Sequence, residues 1–166
     1  MTTYAGRAVV IQADDVDTDV MYPGQFIGIL DDDEMAKHLF EGLDPSLRDQ
    51  LVGDTILFAG GNFGTGSSRE NVPAAMRAAG IRCVVATSFA RIFRRNCINL
   101  GLPALASPEA VAAARPGSAV LIEPAAGAIH VDGRTYPAQP LPPLMLELLE
   151  AGGLAPWIRN RNEGSA

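Results

Sequence analysis

The chain has 166 residues, 48% of them hydrophobic, which is ample for one sizeable core in a single domain spanning residues 1–166. Lysine and arginine total 13 against 19 aspartates and glutamates, and the net charge of -6 works against a nucleic-acid-binding surface. No apolar run has the length of a membrane span or the position of a secretory signal, so a cytoplasmic protein without a membrane partner is expected.

In chain order, Arg7 to Gln12 reads as a short, β-branched, buried strand. The acidic run Asp14 to Asp19 follows. Its alternating carboxylates resemble a calcium loop, but the sixth position is Val20 rather than glycine and the twelfth is Phe26 rather than glutamate, which argues against calcium. Asp33 to Phe40 has helical spacing with Met35, Leu39 and Phe40 on one face. Thr55 to Ala59 and Arg82 to Thr87 read as two further strands of the same sheet. Helices are predicted over Ser67 to Ala79 and Phe89 to Leu100, each stopped by a glycine, Gly80 or Gly101. Pro108 to Arg115 is a short helix opened by Ser107, and Ala119 to Glu123 with Ala128 to Val131 forms a hairpin. Leu144 to Glu150 is a last helix closed by Gly152 and Gly153, beyond which Trp157 anchors a tail that turns polar from Arg159. The fold class is α/β.

The two cysteines, Cys83 and Cys97, sit in apolar contexts without metal-ligand spacing and read as buried thiols. They are too few for an iron–sulfur cluster, so a cluster, if the chemistry needs one, lies on another chain. His38 and His130 have no visible metal partner and read as surface or capping residues. Arg91, Arg94 and Arg95 point in different directions on a helix and read as a solvated face or a subunit contact.

The informative stretch runs from Gly60 to Glu70, a glycine-rich turn between a strand and a helix. It lacks the lysine of a Walker A loop and the third glycine of a dinucleotide loop. What remains is a backbone able to bend closely around a ligand at Gly66, with Ser67 near a helix N-terminus that favours an anion and Arg69 offering a planar fork for a carboxylate. On spacing alone, a plain tight turn with Ser67 as an N-cap and Arg69 in solvent is the competing reading.

The wider sequence is similar to the small subunit of 3-isopropylmalate dehydratase and the swivelling domain of aconitase. The resemblance rests on Asp17-Thr-Asp19 with Pro23, on Asn62-Phe-Gly-x-Gly-Ser-Ser-Arg-Glu70, on Ser88-Phe-Ala-Arg-Ile-Phe93, on Asn96-x-x-x-x-Gly-Leu-Pro103 and on the closing segment Pro143 to Gly153. It covers nearly the whole chain and implies a mobile, swivelling β/β/α domain of the aconitase C-terminal type. By that resemblance Ser67 removes and returns the carbon-bound proton. Arg69 holds a substrate carboxylate, with Ser68 and Gly66 beside it. A 4Fe-4S cluster is expected on a large partner subunit, in a heterodimer or heterotetramer, where its iron acts as Lewis acid on the hydroxyl of a 2-hydroxy diacid. No cofactor is expected on this chain.

The resemblance also places Asp17, Thr18 and Asp19 at the mouth of the site as supports, Asp19 approaching it more closely. The next loop, Gln25, Phe26, Ile27, Gly28, Ile29 and Leu30, corresponds to the family's specificity segment. Phe26 and Ile27 stand where Tyr-Leu is usual, and Asn71 where His is common. An apolar loop fits a branched alkyl group better than a third carboxylate, which calls for an added cation. Isomerisation of 2- and 3-isopropylmalate in leucine biosynthesis is therefore the leading expectation. Homoaconitase-, methylmalate- or dimethylmalate-type hydro-lyases and a non-catalytic swivel-like binding module are the alternatives.

Overall fold

A computed structural model of the chain describes residues 1–66 and 68–164. Its centre is a seven-stranded sheet in the order β4-β3-β2-β1-β5-β6-β7, built from Tyr4–Ile11 (β1), Thr55–Ala59 (β2), Ile81–Ala86 (β3), Ala104–Ala106 (β4), Ala119–Glu123 (β5), Ala128–Val131 (β6) and Arg134–Pro137 (β7). β1 to β4 run parallel and β5 to β7 continue the sheet as an antiparallel meander from the other edge of β1.

The apolar run Thr55–Ala59 is a strand because both of its faces are covered. Ile56 and Phe58 enter one buried cluster and Leu57 and Ala59 the other, as the two-residue side-chain period requires. The cluster that takes Leu57 and Ala59 lies under the helices Asp32–His38 (α2), Asn71–Ala78 (α3) and Arg91–Asn99 (α4). On the opposite face the sheet curls around Pro108–Ala113 (α5), which touches β3 on one side and β6 and β7 on the other. Pro143–Ala151 (α6) and Leu154–Glu163 (α7) pack outside α4 through Ile98, Leu148, Leu149 and Trp157. A four-residue turn of helix, Thr18–Met21 (α1), follows β1. No helix among the described residues is long and apolar enough to cross a membrane.

Several elements differ from the sequence expectation, each for a local reason. α3 starts at Asn71 rather than 67, because Pro73 is tolerated only in a first turn; a start at 67 would put it in the interior at a cost of about 3 kcal/mol. The same reasoning explains the tail: Pro156 occupies the first turn of α7, so the segment after Gly153 is helical, with the Trp157 indole donating to Glu147 Oε2 at 3.2 Å. Leu39 and Phe40 lie beyond the end of α2, where Phe40 turns to φ +63° and both side chains are buried. β7 is an addition to the expected hairpin. Its signal was Asp132-Gly133, which forms a two-residue turn with φ of +49° and +82° and pairs Val131 with Arg134.

Ser107 joins α5 to the far edge of the sheet. Its hydroxyl accepts from Ala110 N at 3.3 Å, capping the helix, and donates to Pro137 O at 2.7 Å on β7. Ser107→Ala removes a cap made by a fully buried side chain and the bond to the Pro137 carbonyl, so it should cost about 1–2 kcal/mol. Urea unfolding is expected to show a lower midpoint with an unchanged slope; an unchanged midpoint would show that the hydroxyl links nothing.

Candidate active site

The site is assembled where β1 and β2 end, because the loops that leave these neighbouring parallel strands are bonded to each other. Asp14 Oδ1 accepts from Gly61 N at 2.6 Å, and Asp15 N donates back to Gly61 O at 2.9 Å. Gly64 N reaches Val16 O at 3.0 Å, and Thr18 N reaches Thr65 O at 2.9 Å. Asp15 Oδ1 takes the Asn62 amide at 2.8 Å, and Asp17 Oδ1 takes Asp19 N at 2.6 Å to cap α1. The carboxylates of Asp14, Asp15 and Asp17 are therefore fasteners for backbone and amide N–H groups. Among the described residues no group of His, Cys, Asp and Glu is placed to hold a metal ion.

Two glycines are demanded by this geometry. Gly64 has φ +85°, and a Cβ there would lie 2.1 Å from the Phe93 ring. Gly66 has φ +100°, and a Cβ would lie 2.5 Å from Asp17 Oδ2, so the Asp17 carboxylate rests directly against the loop backbone. From below, Phe63 meets Phe89 and Phe93 edge-on, with ring centroids 6.5 and 5.5 Å apart. Asn62 N donates to Ser88 Oγ at 2.8 Å. Asn96, nearly buried on α4, donates to Ser68 O at 2.8 Å.

Ser67 lies outside the described residues. Ser68 is exposed, and Arg69 projects from just ahead of α3 toward α1, where its Nη2 lies 2.6 Å from Asp19 Oδ1. Because α3 begins at Asn71, the positive end of its dipole falls on 70–72 instead of 67–69, and the dipole effect fades within one turn. Thr18, Asp19, Tyr22, Ile27, Arg69, Asn71 and Val72 line one small cleft of ≈ 10 Å³, room for about a single water. Arg69, Asp19 and Ile27 thus line the same cleft. Asp17 does not reach the cleft, Thr18 is buried in its wall, and Gln25, Gly28 and Leu30 are exposed away from it. A Cβ on Gly28 would meet nothing within 4 Å.

Sequence reading left three contacts unassigned. Asn71, where the family commonly has His, donates to Ile27 O at 3.3 Å and so ties the 25–30 loop to α3. Asn96 holds the Ser68 carbonyl; its signal was an amide on the same helical face as Phe93 and Cys97. His38, assigned to a surface or capping role, stacks on Phe26. The cysteines are buried in separate clusters, Cys83 in one and Cys97 in the other, and burial pushes both thiols up.

A glycine-bent loop and an arginine at the carboxyl end of a parallel sheet, carried on this strand order, define a swivelling domain of the aconitase C-terminal type. Residues 49–110 match the family model described as the aconitase C-terminal domain. The 3-isopropylmalate dehydratase small subunit of Moorella thermoacetica is 46% identical over 149 residues, 89% of this chain and 90% of the relative. The 2,3-dimethylmalate dehydratase small subunit of Eubacterium barkeri is 43% identical over 156 residues, 93% of this chain and 96% of the relative. A crystal structure of 3-isopropylmalate dehydratase from Methanocaldococcus jannaschii superposes with a TM-score of 0.90 at 34% identity, covering 99% of this chain and 98% of the other. The chain belongs to the 3-isopropylmalate dehydratase small-subunit family, and is thereby a component of a hydro-lyase complex.

Asn96→Ala should free the Ser68 carbonyl and cost about 1–2 kcal/mol, felt mainly in the loop. Amide exchange over 65–70 is then expected to quicken about tenfold while the β2 and β3 amides stay protected. Equal acceleration in loop and strands would make Asn96 a general core residue.

Proposed function

We propose that this chain closes over the substrate of a complex that interconverts 2- and 3-isopropylmalate by loss and return of water. The observation that carries this reading is one cleft in which the Arg69 fork and the Ile27 side chain stand side by side, a cation for a carboxylate next to an apolar surface for a branched alkyl group. Among the described residues Arg69 is the one cation lining that cleft, which favours a diacid over a substrate with a third carboxylate. The 2,3-dimethylmalate reading is the second candidate, because that substrate is also a branched diacid and a relative of nearly equal identity bears its name.

In this proposal residues 1–166 act as one swivelling domain in the cytoplasm, opposite a large subunit in a heterodimer or heterotetramer. A 4Fe-4S cluster on that subunit supplies the Lewis acid for the departing hydroxyl. Ser67 Oγ takes the proton from the neighbouring carbon and returns it. Ser68 and the Gly66 backbone shape the turn around the substrate carboxylate, and Arg69 binds that carboxylate. Asp19 holds the guanidinium in place until the substrate arrives. The pair is substantially exposed, with side chains 37% and 61% accessible, so parting it costs about 1 kcal/mol or less. A substrate carboxylate can therefore take the fork at small cost.

A serine base needs help. Lowering its hydroxyl by about six pKa units takes roughly 8 kcal/mol, and a helix N-terminus gives at most about 2 kcal/mol, less still with α3 starting at Asn71. The remainder comes from Arg69, from nearby N–H donors and from exclusion of water when the two subunits close. Ser67→Ala in the reconstituted complex should lower kcat by about three orders of magnitude with little change in KM, whereas Arg69→Lys should raise KM as well. Near-normal turnover by Ser67→Ala would remove the serine from the chemistry.

A further inference from the structure

The 25–30 loop is held from one side by a histidine. His38, in the last turn of α2, stacks face to face on Phe26 with ring centroids 3.8 Å apart and planes 11° from parallel. Its Nδ1 lies 2.7 Å from Glu41 Oε2, and Arg48 approaches the same carboxylate oxygen at 3.7 Å while donating to Leu39 O at 3.2 Å. Glu41 is brought under the ring by the turn at Phe40, a fully buried residue held at φ +63°, a backbone conformation that costs a bulky side chain energy and persists only where its surroundings enforce it. On the other side of Phe26, the Tyr22 hydroxyl donates to Phe26 O at 2.9 Å, and the two rings meet edge-on at 6.2 Å. Burial raises the Tyr22 phenol and so keeps it a donor. Phe26 is thus fixed by its ring and its carbonyl, and Ile27, the next residue, is the loop's contribution to the cleft.

We infer that His38, oriented by Glu41 and Arg48, is a positioning residue for substrate choice: it clamps Phe26 so that Ile27 presents its side chain beside Arg69. This rests on the reading of residues 25–30 as the specificity loop. The clamp acts on the alkyl group of the substrate and not on the proton transfer, because none of its members lines the cleft except Tyr22. Loosening it should therefore weaken binding of a branched substrate and spare one that does not reach Ile27.

The test uses the anaerobically reconstituted complex and two substrates, 3-isopropylmalate and its analogue with methyl in place of isopropyl. His38→Ala and Phe26→Leu should each lower kcat/KM for the isopropyl compound about tenfold, through KM, and change the methyl compound less than about twofold. His38→Phe, which keeps a stacking ring without the Glu41 contact, should stay within about threefold of the parent. A variant that merely weakened the fold would depress both substrates alike, and that result, or no change in either, would overturn the clamp. Ile27→Arg separates the two layers of the argument. If it alters the ratio of the two substrates while His38→Ala and Phe26→Leu do not, the loop reading stands and the clamp fails; if none of the three alters it, both fail.

Discussion

Two loops leave the carboxyl ends of β1 and β2 and are fastened to each other before either reaches a helix. The fasteners are short: Asp14 to Gly61, Val16 to Gly64 and Thr18 to Thr65, with Asp17 seated on Gly66. Because the strands are parallel neighbours in register, their ends are about one strand spacing apart, and the loops approach closely because Gly60 and Gly66 carry no Cβ where Ala13 and Asp17 lie against them. Everything that follows depends on that pairing. It delivers Asp19 to the place Arg69 reaches and leaves Gly66, Ser68 and Arg69 beyond the carboxyl ends of the parallel strands.

The support beneath the display is apolar and stiff. Phe63, Phe89 and Phe93 form a buried aromatic floor, and Asn96 adds one hydrogen bond from that floor to the Ser68 carbonyl. Such a floor fixes a loop without a lining of charges, and among the described residues Arg69 is the cation in the cleft. The ion pair with Asp19 is solvated enough to be exchanged, whereas a buried pair would be costly to break.

Much of this was legible in the residues. The strand Thr55–Ala59 was plain because a continuous apolar run of five has to be covered on both faces, and Gly80 and Gly101 stop their helices at φ +89° and +75° as the sequence expectation held. Arg69, Asp19 and Ile27 were marked by resemblance, and all three line one cleft. The start of α3 was misjudged although Pro73 announced it, because periodicity was read past a residue that periodicity cannot overrule. Asp132-Gly133 was likewise a readable turn. The contacts of Asn71, Asn96 and His38 were not readable, since each joins segments dozens of residues apart or depends on a backbone turn, at Phe40, that no residue type foretells.

The proposed chemistry is divided between two chains, with a base and an anion-binding fork on this one and the metal on its partner. The most direct measurement is an anaerobic assay of this chain alone, of its large subunit alone, and of the two mixed, following formation of the unsaturated diacid and the visible absorption of iron–sulfur centres. The account predicts absorption wherever the large subunit is present and turnover in the mixture alone. Turnover by the isolated chain, or by the large subunit without it, would contradict the division.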